Sequence, residues 1–421
     1  MLHKVSKLIL AASAALLMLV GCAAPVTPNP GGPAKSVLQF NQDGTFKIMS
    51  ISDIQDGADV SPYTIQLITM ALDAEKPDLV VLGGDNILDW SPSLLVSSSG
   101  IKKSIDTFMA PIIARNIPFA VVFGNHDDTV PMDKQAQWDY YQTLPGAQGT
   151  ANPIDGRVGN YNLLVYNTGN APALNLWFFD SGGSTLSAMG DSMKSGQIDW
   201  YKTTSDQVKQ ANGGVAVPSV VFQHIPVPQI YDLLKPVDKS TPGAVQGSGS
   251  HSGNYYVLDT AKTAGGTLGE GPCPLDNEQP EKTQPEFTAW QSQGDVMAAV
   301  FGHDHDNSFI GTTDGIQLMY DASAGFYAYG NGDLHGVRVL EFDQNSVTQF
   351  TTHMDYWKDL TNESIPANLA YDGGFAHGAQ YGYIVVAVVI VGGLITAIVF
   401  IVRKIRRRRS ASRPSAVRQR G

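Results

Sequence analysis

Short apolar runs alternate with helix-length amphipathic segments along residues 37–365. Apolar runs of about four to eight residues are typical of buried strands, whereas apolar residues spaced three and four apart indicate helices. The alternation therefore predicts a layered α/β fold. The predicted strands are Phe46–Ser52, Asp78–Leu82, Phe119–Phe123, Leu174–Phe179, Ser219–Phe222, Val296–Phe301, Ile316–Tyr320, Gly336–Phe342 and Ser346–Thr352. The predicted helices are Pro62–Glu75, Ile101–Asn116 and Ile198–Gln210.

One long segment, residues 226–285, interrupts this pattern because it is rich in glycine and proline and has no clear periodicity. Long unpatterned segments inside a domain are often functional, so this one predicts an insertion that covers a site. Proline and glycine also predict flexible tethers at residues 23–36 and 366–381, on either side of a domain spanning 37–365.

The beginning of the chain has the order of a secretory signal peptide over residues 1–22: basic residues, an apolar run at 8–20, and then Gly21 and Cys22. Residues 19–22 also resemble a bacterial lipobox, in which the cysteine is acylated after cleavage. The sequence leaves two alternatives, a lipidated Cys22 or ordinary cleavage near Ala23.

Near the other end, residues 382–402 are apolar, and the 19 positions from 384 to 402 carry no charge. As a helix this uncharged run is about 28 Å long, which matches the hydrocarbon core of a bilayer. Nine lysines and arginines follow in residues 403–421. This order predicts a transmembrane helix with a basic cytoplasmic tail and the domain outside the cell. A buried core helix and a nucleic-acid-binding tail are the less favoured alternatives.

The charge of the middle region limits the partners it can have. Residues 36–380 hold 16 basic and 39 acidic residues, a net charge of −23. Such a surface repels polyanions, which makes nucleic acid an unfavourable partner. Only Cys22 and Cys273 are present, so removal or lipidation of Cys22 leaves no intrachain disulfide. Cys273, between two prolines, is predicted to be a loop thiol rather than a nucleophile.

Polar side chains follow five of the predicted strands, in the blocks SDIQ, GGDN, GNHD, FQHIP and GHDH. The loops beyond the carboxyl ends of strands in an α/β sheet converge on one crevice, so these groups are expected to meet. Carboxylate, amide and imidazole donors together suit metals such as Mn, Fe or Zn. The candidate residues are Asp53, Gln55, Asp85, Asn125, His126, Asp127, His224, His303 and His305.

In order and composition these five blocks resemble the signature of the calcineurin-like metallophosphoesterases. The segments FKIMSISDIQ, LWFFDSGG and SGQIDWY are further similar to the purple acid phosphatase-like branch of that superfamily. The resemblance covers about residues 46 to 310. It implies a four-layer α/β/β/α sandwich, with two central mixed sheets packed together and helices on both sides.

The resemblance also implies a dinuclear metal site, in which a water shared by two cations attacks the phosphorus of an ester in line. The implied ligands, with Asp85 bridging, are Asp53, Gln55, Asp85 and His305 on one metal, and Asn125, His224 and His303 on the other. His126 is implied as the proton donor at the leaving oxygen. Asp127, the next residue, is assigned with it to the catalytic group.

Two positions depart from the family pattern. Gln55 stands where most members have histidine, which favours Mn or Mg at that metal. Glutamine at this place also resembles the branch of the family that cleaves nucleotide-type diphosphates, so the resemblance leaves such substrates open. Leu88 stands where purple members have tyrosine, so no iron-tyrosinate colour is expected. Small phosphomonoesters are the favoured substrates and diesters the next. A non-catalytic surface binding protein on the same scaffold is the alternative of a different class.

Overall fold

The computed structural model describes residues 36–88, 98–150, 152–183, 193–275, 285–365 and 390–391, all within the compact unit Lys35–Gly421. The strands, numbered in chain order, are β1 Leu38–Gln39, β2 Thr45–Ile51, β3 Leu79–Gly83, β4 Phe119–Val122, β5 Tyr161–Tyr166, β6 Pro172–Phe179, β7 Ser219–Gln223, β8 Leu234–Val237, β9 Val245–Gln246, β10 Tyr255–Leu258, β11 Thr263–Gly265, β12 Val296–Phe301, β13 Ile310–Thr313, β14 Ile316–Tyr320, β15 Gly336–Asp343 and β16 Thr351–Tyr356. The helices are α1 Pro62–Glu75, α2 Ser98–Ala114, α3 Lys134–Tyr141, α4 Ser195–Ala211, α5 Pro285–Gln293 and α6 Trp357–Leu360.

A five-stranded sheet has the order β16-β15-β2-β3-β4. Strands β2, β3 and β4 are parallel, and β15 pairs antiparallel with both β2 and β16. All residues of β3 and β4 are buried, as expected for parallel strands covered on both faces. The parallel arrangement places the residues that follow β2, β3 and β4 at one edge of this sheet.

An eight-stranded sheet has the order β1-β5-β6-β7-β12-β14-β13-β11, with β6, β7, β12 and β14 parallel. Leu176 and Phe178 of β6 belong to the core that also contains residues of α1, α2 and the five-stranded sheet. Trp177 and Phe179 belong to a second core, with residues of α4 and α5. Since successive side chains of a strand point to opposite faces, both faces of this sheet are buried.

The predicted mixed α/β fold with several sheets is confirmed, but one strand was predicted at the wrong place and some elements were missed. The strand predicted at Ser346–Thr352 is a 3-10 turn at Val347–Gln349, and β16 begins only at Thr351. Just before it, the Asp343 side chain accepts a hydrogen bond from the Asn345 backbone N–H at 2.8 Å, a contact typical of a turn. Strand β5 was not predicted at all, although β5 and β6 form an antiparallel pair.

The insertion at 226–285 is more regular than its sequence indicates. It forms a three-stranded antiparallel sheet in the order β8-β10-β9. It also supplies β11, which pairs with β13 at the edge of the eight-stranded sheet. These strands have only two to four residues each, too few for a periodic pattern to be visible in the sequence.

In the ranges that the structure describes, no helix has both the length and the apolar character needed to cross a membrane. The predicted signal segment 1–22, the tethers 23–36 and 366–381, the span 382–402 and the tail 403–421 lie outside those ranges, except for residues 36, 390 and 391.

Candidate functional site

The loops at the carboxyl ends of strands from both sheets meet at one place. Asp53 and Asp85 follow β2 and β3 of the five-stranded sheet, while His224 and His303 follow β7 and β12 of the eight-stranded sheet. In the five-stranded sheet, Asp53 N donates a 3.0 Å hydrogen bond to the carbonyl of Gly84 in the neighbouring loop. In the eight-stranded sheet, Gly302 N donates one of 3.0 Å to the carbonyl of His224. The crevice predicted from the strand ends is therefore present.

Asp85 lies at the centre of this crevice and is 1% exposed. Its Oδ2 is 3.0 Å from His224 Nε2 and accepts a 3.0 Å hydrogen bond from Gln55 Nε2. Its Oδ1 accepts a 2.8 Å hydrogen bond from the His126 backbone N–H, and His126 Nε2 is 3.9 Å from Oδ2. One carboxylate thus contacts residues of three different loops.

Asp53 is the second carboxylate of the crevice and is fully buried. Its Oδ1 is 3.2 Å from His305 Nε2 and 3.7 Å from His224 Nε2. Its Oδ2 accepts hydrogen bonds from Ser52 Oγ at 2.7 Å and from the His303 backbone N–H at 3.1 Å. Asp53 therefore joins the loop after β2 to the loop after β12.

The remaining imidazole, His303, lies beside His224 with the two ring centres 5.4 Å apart and the rings nearly perpendicular. One ligand-type atom each from Asp85, His224 and His303 lies within 4.8 Å of the others, close enough for a single metal ion to contact all three. Asn125 precedes His126 in the loop that donates to Asp85.

Four of the side chains in the crevice are carried on left-handed backbone. The φ angles are +54° at Asp53, +36° at Gln55, +48° at Asp85 and +78° at His303. Such conformations cost about 1–3 kcal/mol each outside glycine and persist where the surrounding structure enforces them, often at functional sites. They turn the side chains after each strand into the crevice instead of along the strand direction.

Two glycines in the same loops are required by close approach. A methyl group on Gly124 would fall on Asp85 Oδ1, and one on Gly84 would come within 2.6 Å of His224 Nδ1. The glycines preceding the asparagine of GNHD and the aspartate of GGDN therefore leave room for the packed carboxylate and imidazole.

The carboxylates and imidazoles of the crevice shift each other's pKa values, downward for the carboxyls and upward for two of the histidines. Burial acts to raise the pKa of Asp53 and Asp85, but the neighbouring histidines outweigh it, so both carboxyls have pKa values below their usual range. Burial acts to lower the pKa of His224 and His305, but the carboxylates raise each pKa to about 9. For His303, burial and the charge of His224 lower the pKa to about 3. Both carboxylates are therefore held ionised for a cation.

The donor set fits a metal centre. Gln55 Oε1 and Asn125 Oδ1 are buried without a hydrogen-bond partner. A buried amide oxygen without a partner is costly, and a cation in contact with it would remove that cost. Together with two carboxylates and three imidazoles, these oxygens form the mixed ligand set that first-row divalent metals take.

Asp127 lies behind the crevice, not in it. It is fully buried, and its two oxygens accept hydrogen bonds from the backbone of Gly124 at 2.8 Å, Asn86 at 3.0 Å and Ile87 at 3.2 Å. The Asn86 side-chain amide donates a fourth, at 3.3 Å. These contacts tie the loop after β4 to the loop after β3 and leave Asp127 no surface with which to touch a substrate.

The sequence analysis missed two residues beside His305. The ring of Tyr329 stacks on the His305 imidazole, with centres 4.0 Å apart and planes within 2°, and the Tyr329 carbonyl contacts His305 Nδ1 at 2.5 Å. The Tyr329 hydroxyl donates to Glu270 Oε1 at 3.1 Å. Glu270 belongs to the insertion, so that segment does reach the site. No periodicity or motif marks either residue, because their contacts join distant parts of the chain.

Among the described residues, two buried basic side chains are engaged in ion pairs. Lys134 Nζ is buried, 2.9 Å from Asp180 Oδ1, and Arg338 Nε is 2.9 Å from Asp321 Oδ1. Arg115 pairs with Asp73 on the surface. A phosphate bound in the crevice would therefore have to obtain most of its countercharge from metal ions.

Comparison with known proteins identifies relatives of this chain. A family model described as calcineurin-like phosphoesterase matches residues 46–307. "Probable inactive purple acid phosphatase 14" of Arabidopsis thaliana is 30% identical over 343 residues, which cover 72% of this chain and 77% of the relative. "Probable inactive purple acid phosphatase 29" of the same plant is 30% identical over 358 residues, 76% of this chain and 82% of the relative.

Among solved structures, a dimetal phosphatase from Danio rerio is 14% identical, with a TM-score of 0.44, covering 70% of this chain and 95% of that one. The resemblance drawn from the five sequence blocks is confirmed by the family match and the two plant relatives. The chain belongs to the calcineurin-like phosphoesterase family and is a metal-dependent phosphoesterase.

Proposed function

We propose that the chain hydrolyses small phosphomonoesters, on a pair of metal ions held by the side chains around Asp85. The observation that carries this proposal is the meeting of Asp53, Asp85, His224, His303 and His305 in one crevice, although they follow strands of two different sheets.

The contacts support a division of the ligands into two sets that share Asp85: Asp53, Gln55 and His305 on one side, and Asn125, His224 and His303 on the other. Asp85 contacts Gln55 of the first set and His224 of the second, and Asp53 contacts His305. Two bound ions such as Mn, Fe or Zn would withdraw charge from a phosphoryl group and lower the pKa of a water.

His126 is the side chain of this loop that can meet a leaving group. Its backbone N–H is held by Asp85, while its imidazole remains 22% exposed at the edge of the crevice. We assign it the donation of a proton to the leaving oxygen, because an imidazole can hold and release a proton near neutral pH. We assign Asp127 a positioning role, since it holds the loops that carry Asp85 and Asn125.

We also place the domain at the outer face of a membrane, anchored by the apolar span 382–402 and, where Cys22 is lipidated, by its acyl chains. The signal-like residues 1–22 and the basic tail 403–421 support this orientation. Protease added to intact cells should remove the domain and leave the tail protected. A tail cleaved together with the domain, or neither cleaved, would contradict the orientation.

The activity is tested by turnover of p-nitrophenyl phosphate, its bis ester and ADP-ribose by the purified domain supplemented with Mn. The monoester should be cleaved fastest, and Asp85→Asn should abolish turnover. Asp128→Asn changes a 44% exposed carboxylate that contacts Lys134, and it alters none of the proposed ligands; it is the matched control and should retain activity. Two bound metals without turnover of any substrate would favour a non-catalytic binding protein. Fewer than one metal per chain would contradict the proposed centre.

Gln55 supports a second candidate, hydrolysis of the phosphoanhydride of nucleotide diphosphates. The support is a resemblance, since glutamine at this place is similar to the family branch that cleaves nucleotide-type diphosphates. Its amide oxygen also favours a harder ion such as Mn or Mg. Faster turnover of ADP-ribose than of the monoester in the same assay would favour this candidate over the first.

A further inference from the structure

A second group of metal-binding side chains lies on the five-stranded sheet, far from the crevice. It consists of Glu75, the last residue of α1, and His353 and Asp355 of β16. Glu75 contacts Lys47 near the start of β2, whereas Asp53 follows the end of β2. Six residues of strand separate Lys47 from Asp53, roughly 20 Å, so the two groups cannot share an ion.

The separations within this group are close to those of ligands around an ion. His353 Nε2 is 3.4 Å from Asp355 Oδ1 and 3.7 Å from Glu75 Oε1, and one atom of each side chain lies within 4.8 Å of the others. Good hydrogen bonds between nitrogen and oxygen are shorter, about 2.7–3.2 Å. Ligand atoms bound at about 2.0–2.2 Å to a tetrahedral ion lie about 3.3–3.6 Å apart.

The other atoms of these side chains leave the ligand atoms available. Lys47 Nζ is 2.7 Å from Glu75 Oε2, the oxygen that does not face His353. Asp355 Oδ2 is buried without a hydrogen-bond partner. His353 and Asp355 are two positions apart on one strand, so both point to the same face. The group thus has three converging donors, one of them with an unpaired buried oxygen.

Charge and access are compatible with a cation. Lys47 contacts the carboxylates of Glu75 and Glu341, while Asp355 contacts His353, so the three carboxylates and one ammonium have a net charge of −2 when His353 is neutral. The side chain of His353 is 48% exposed, while those of Glu75 and Asp355 are 18% and 13% exposed. An ion can enter from the His353 side, and water can complete its coordination.

We propose that Glu75, His353 and Asp355 form a third divalent-cation site, separate from the crevice and suited to Zn²⁺. One imidazole nitrogen and two carboxylate oxygens, with an open position for water, are a ligand set that Zn²⁺ takes in proteins. Because Glu75 ends α1 and β16 is an edge strand, the ion would join the helix layer to the exposed edge of the sheet. Its role would be to stabilise the fold, and it does not depend on the chemistry of the crevice.

The test counts zinc in the full chain after chelation and reloading with Zn²⁺, by inductively coupled plasma mass spectrometry. His353→Gln and Asp355→Asn should each lose one equivalent of zinc relative to the wild type, with kcat on the preferred substrate unchanged. Glu341→Gln alters the carboxylate beside Lys47 but none of the three donors, and it should retain the wild-type zinc content. Because each variant is compared with the wild type, the result does not depend on how much zinc the crevice itself holds.

Thermal unfolding gives an independent readout. Zn²⁺ should raise the unfolding midpoint of the wild type by several degrees more than that of His353→Gln or Asp355→Asn, because binding only to the folded state stabilises it. With chelator present, all three should unfold within about 2 °C of each other, which shows that the variants fold. Equal zinc content and equal zinc-dependent shifts would overturn the proposal and leave His353 as an ion-paired histidine.

Discussion

The replacement of Asp127 by asparagine separates a positioning role from a catalytic one. The four donors around Asp127 divide evenly: Asn86 N and Ile87 N donate to Oδ1, while Gly124 N and the Asn86 side chain donate to Oδ2. An asparagine keeps the shape of the side chain but turns one oxygen into an NH₂ group. In either orientation two buried donors then face another donor.

The cost follows from those two unsatisfied donors. A buried donor that loses its acceptor costs about 1–3 kcal/mol, so the gross loss is about 2–6 kcal/mol. Burying a neutral amide in place of a carboxyl near Asp85 offsets part of this, which places the expected loss near the lower end. A loss of about 2 kcal/mol is roughly a 30-fold change in the unfolding equilibrium.

Urea unfolding followed by circular dichroism measures this loss, with kcat and metal content determined on the same preparations. We expect Asp127→Asn to lower the unfolding midpoint and to reduce the metal content, since the loops of Asp85 and Asn125 lose their common anchor. Asp128→Asn is the control, because that neighbouring carboxylate is 44% exposed and contacts Lys134. Unchanged stability and metal content combined with a large loss of kcat would refute this reasoning and restore a catalytic Asp127.

Three further predictions follow from the geometry. Gly124→Ala should lower kcat/KM by at least about 100-fold together with the metal content, because its methyl group would displace Asp85; a fully loaded, active variant would contradict this. Glu286→Gln should raise the unfolding midpoint at pH 9 but not at pH 4, as thermal scans can show. Burial raises the pKa of Glu286 from 4.5 to about 8, so the wild type loses about 1.4 kcal/mol of stability per pH unit as pH rises between those values. Metal added to the chelated protein at pH 7 should release protons, which pH-stat titration can measure. The reason is that His224 and His305 have pKa values of about 9, so both imidazoles are protonated before the metal binds. If no protons are released, these nitrogens do not bind the metal.

Much of the fold was predictable because its strands are buried and continuous. β3, β4, β7 and β12 consist mainly of apolar residues and are followed by polar ones, and a parallel sheet buried on both faces has this pattern. The half-buried antiparallel strand β5 and the short strands of the insertion were missed. Their pairing depends on partners elsewhere in the chain, and a single-sequence pattern does not contain that information.

The types and order of the candidate donors were also visible in the sequence, since polar residues directly after buried strands stand out. Their individual roles were less visible. Asp127 lies in the GNHD block beside His126, and only the structure shows that one is fully buried by four donors while the other is partly exposed. Tyr329 and Glu270 have no sequence signal, yet they contact a proposed ligand and each other.

The sequence by itself determined the α/β class, the family and the set of donors that follow the strands, because each of these is visible in the local pattern of apolar and polar residues. The tertiary structure decided how those donors meet. Left-handed turns at Asp53 and Asp85, the room left by Gly84 and Gly124, and the approach of the insertion to His305 all depend on how two sheets pack. Such contacts join positions far apart in the chain, and their distances are set by packing, which residue order specifies only through the whole fold.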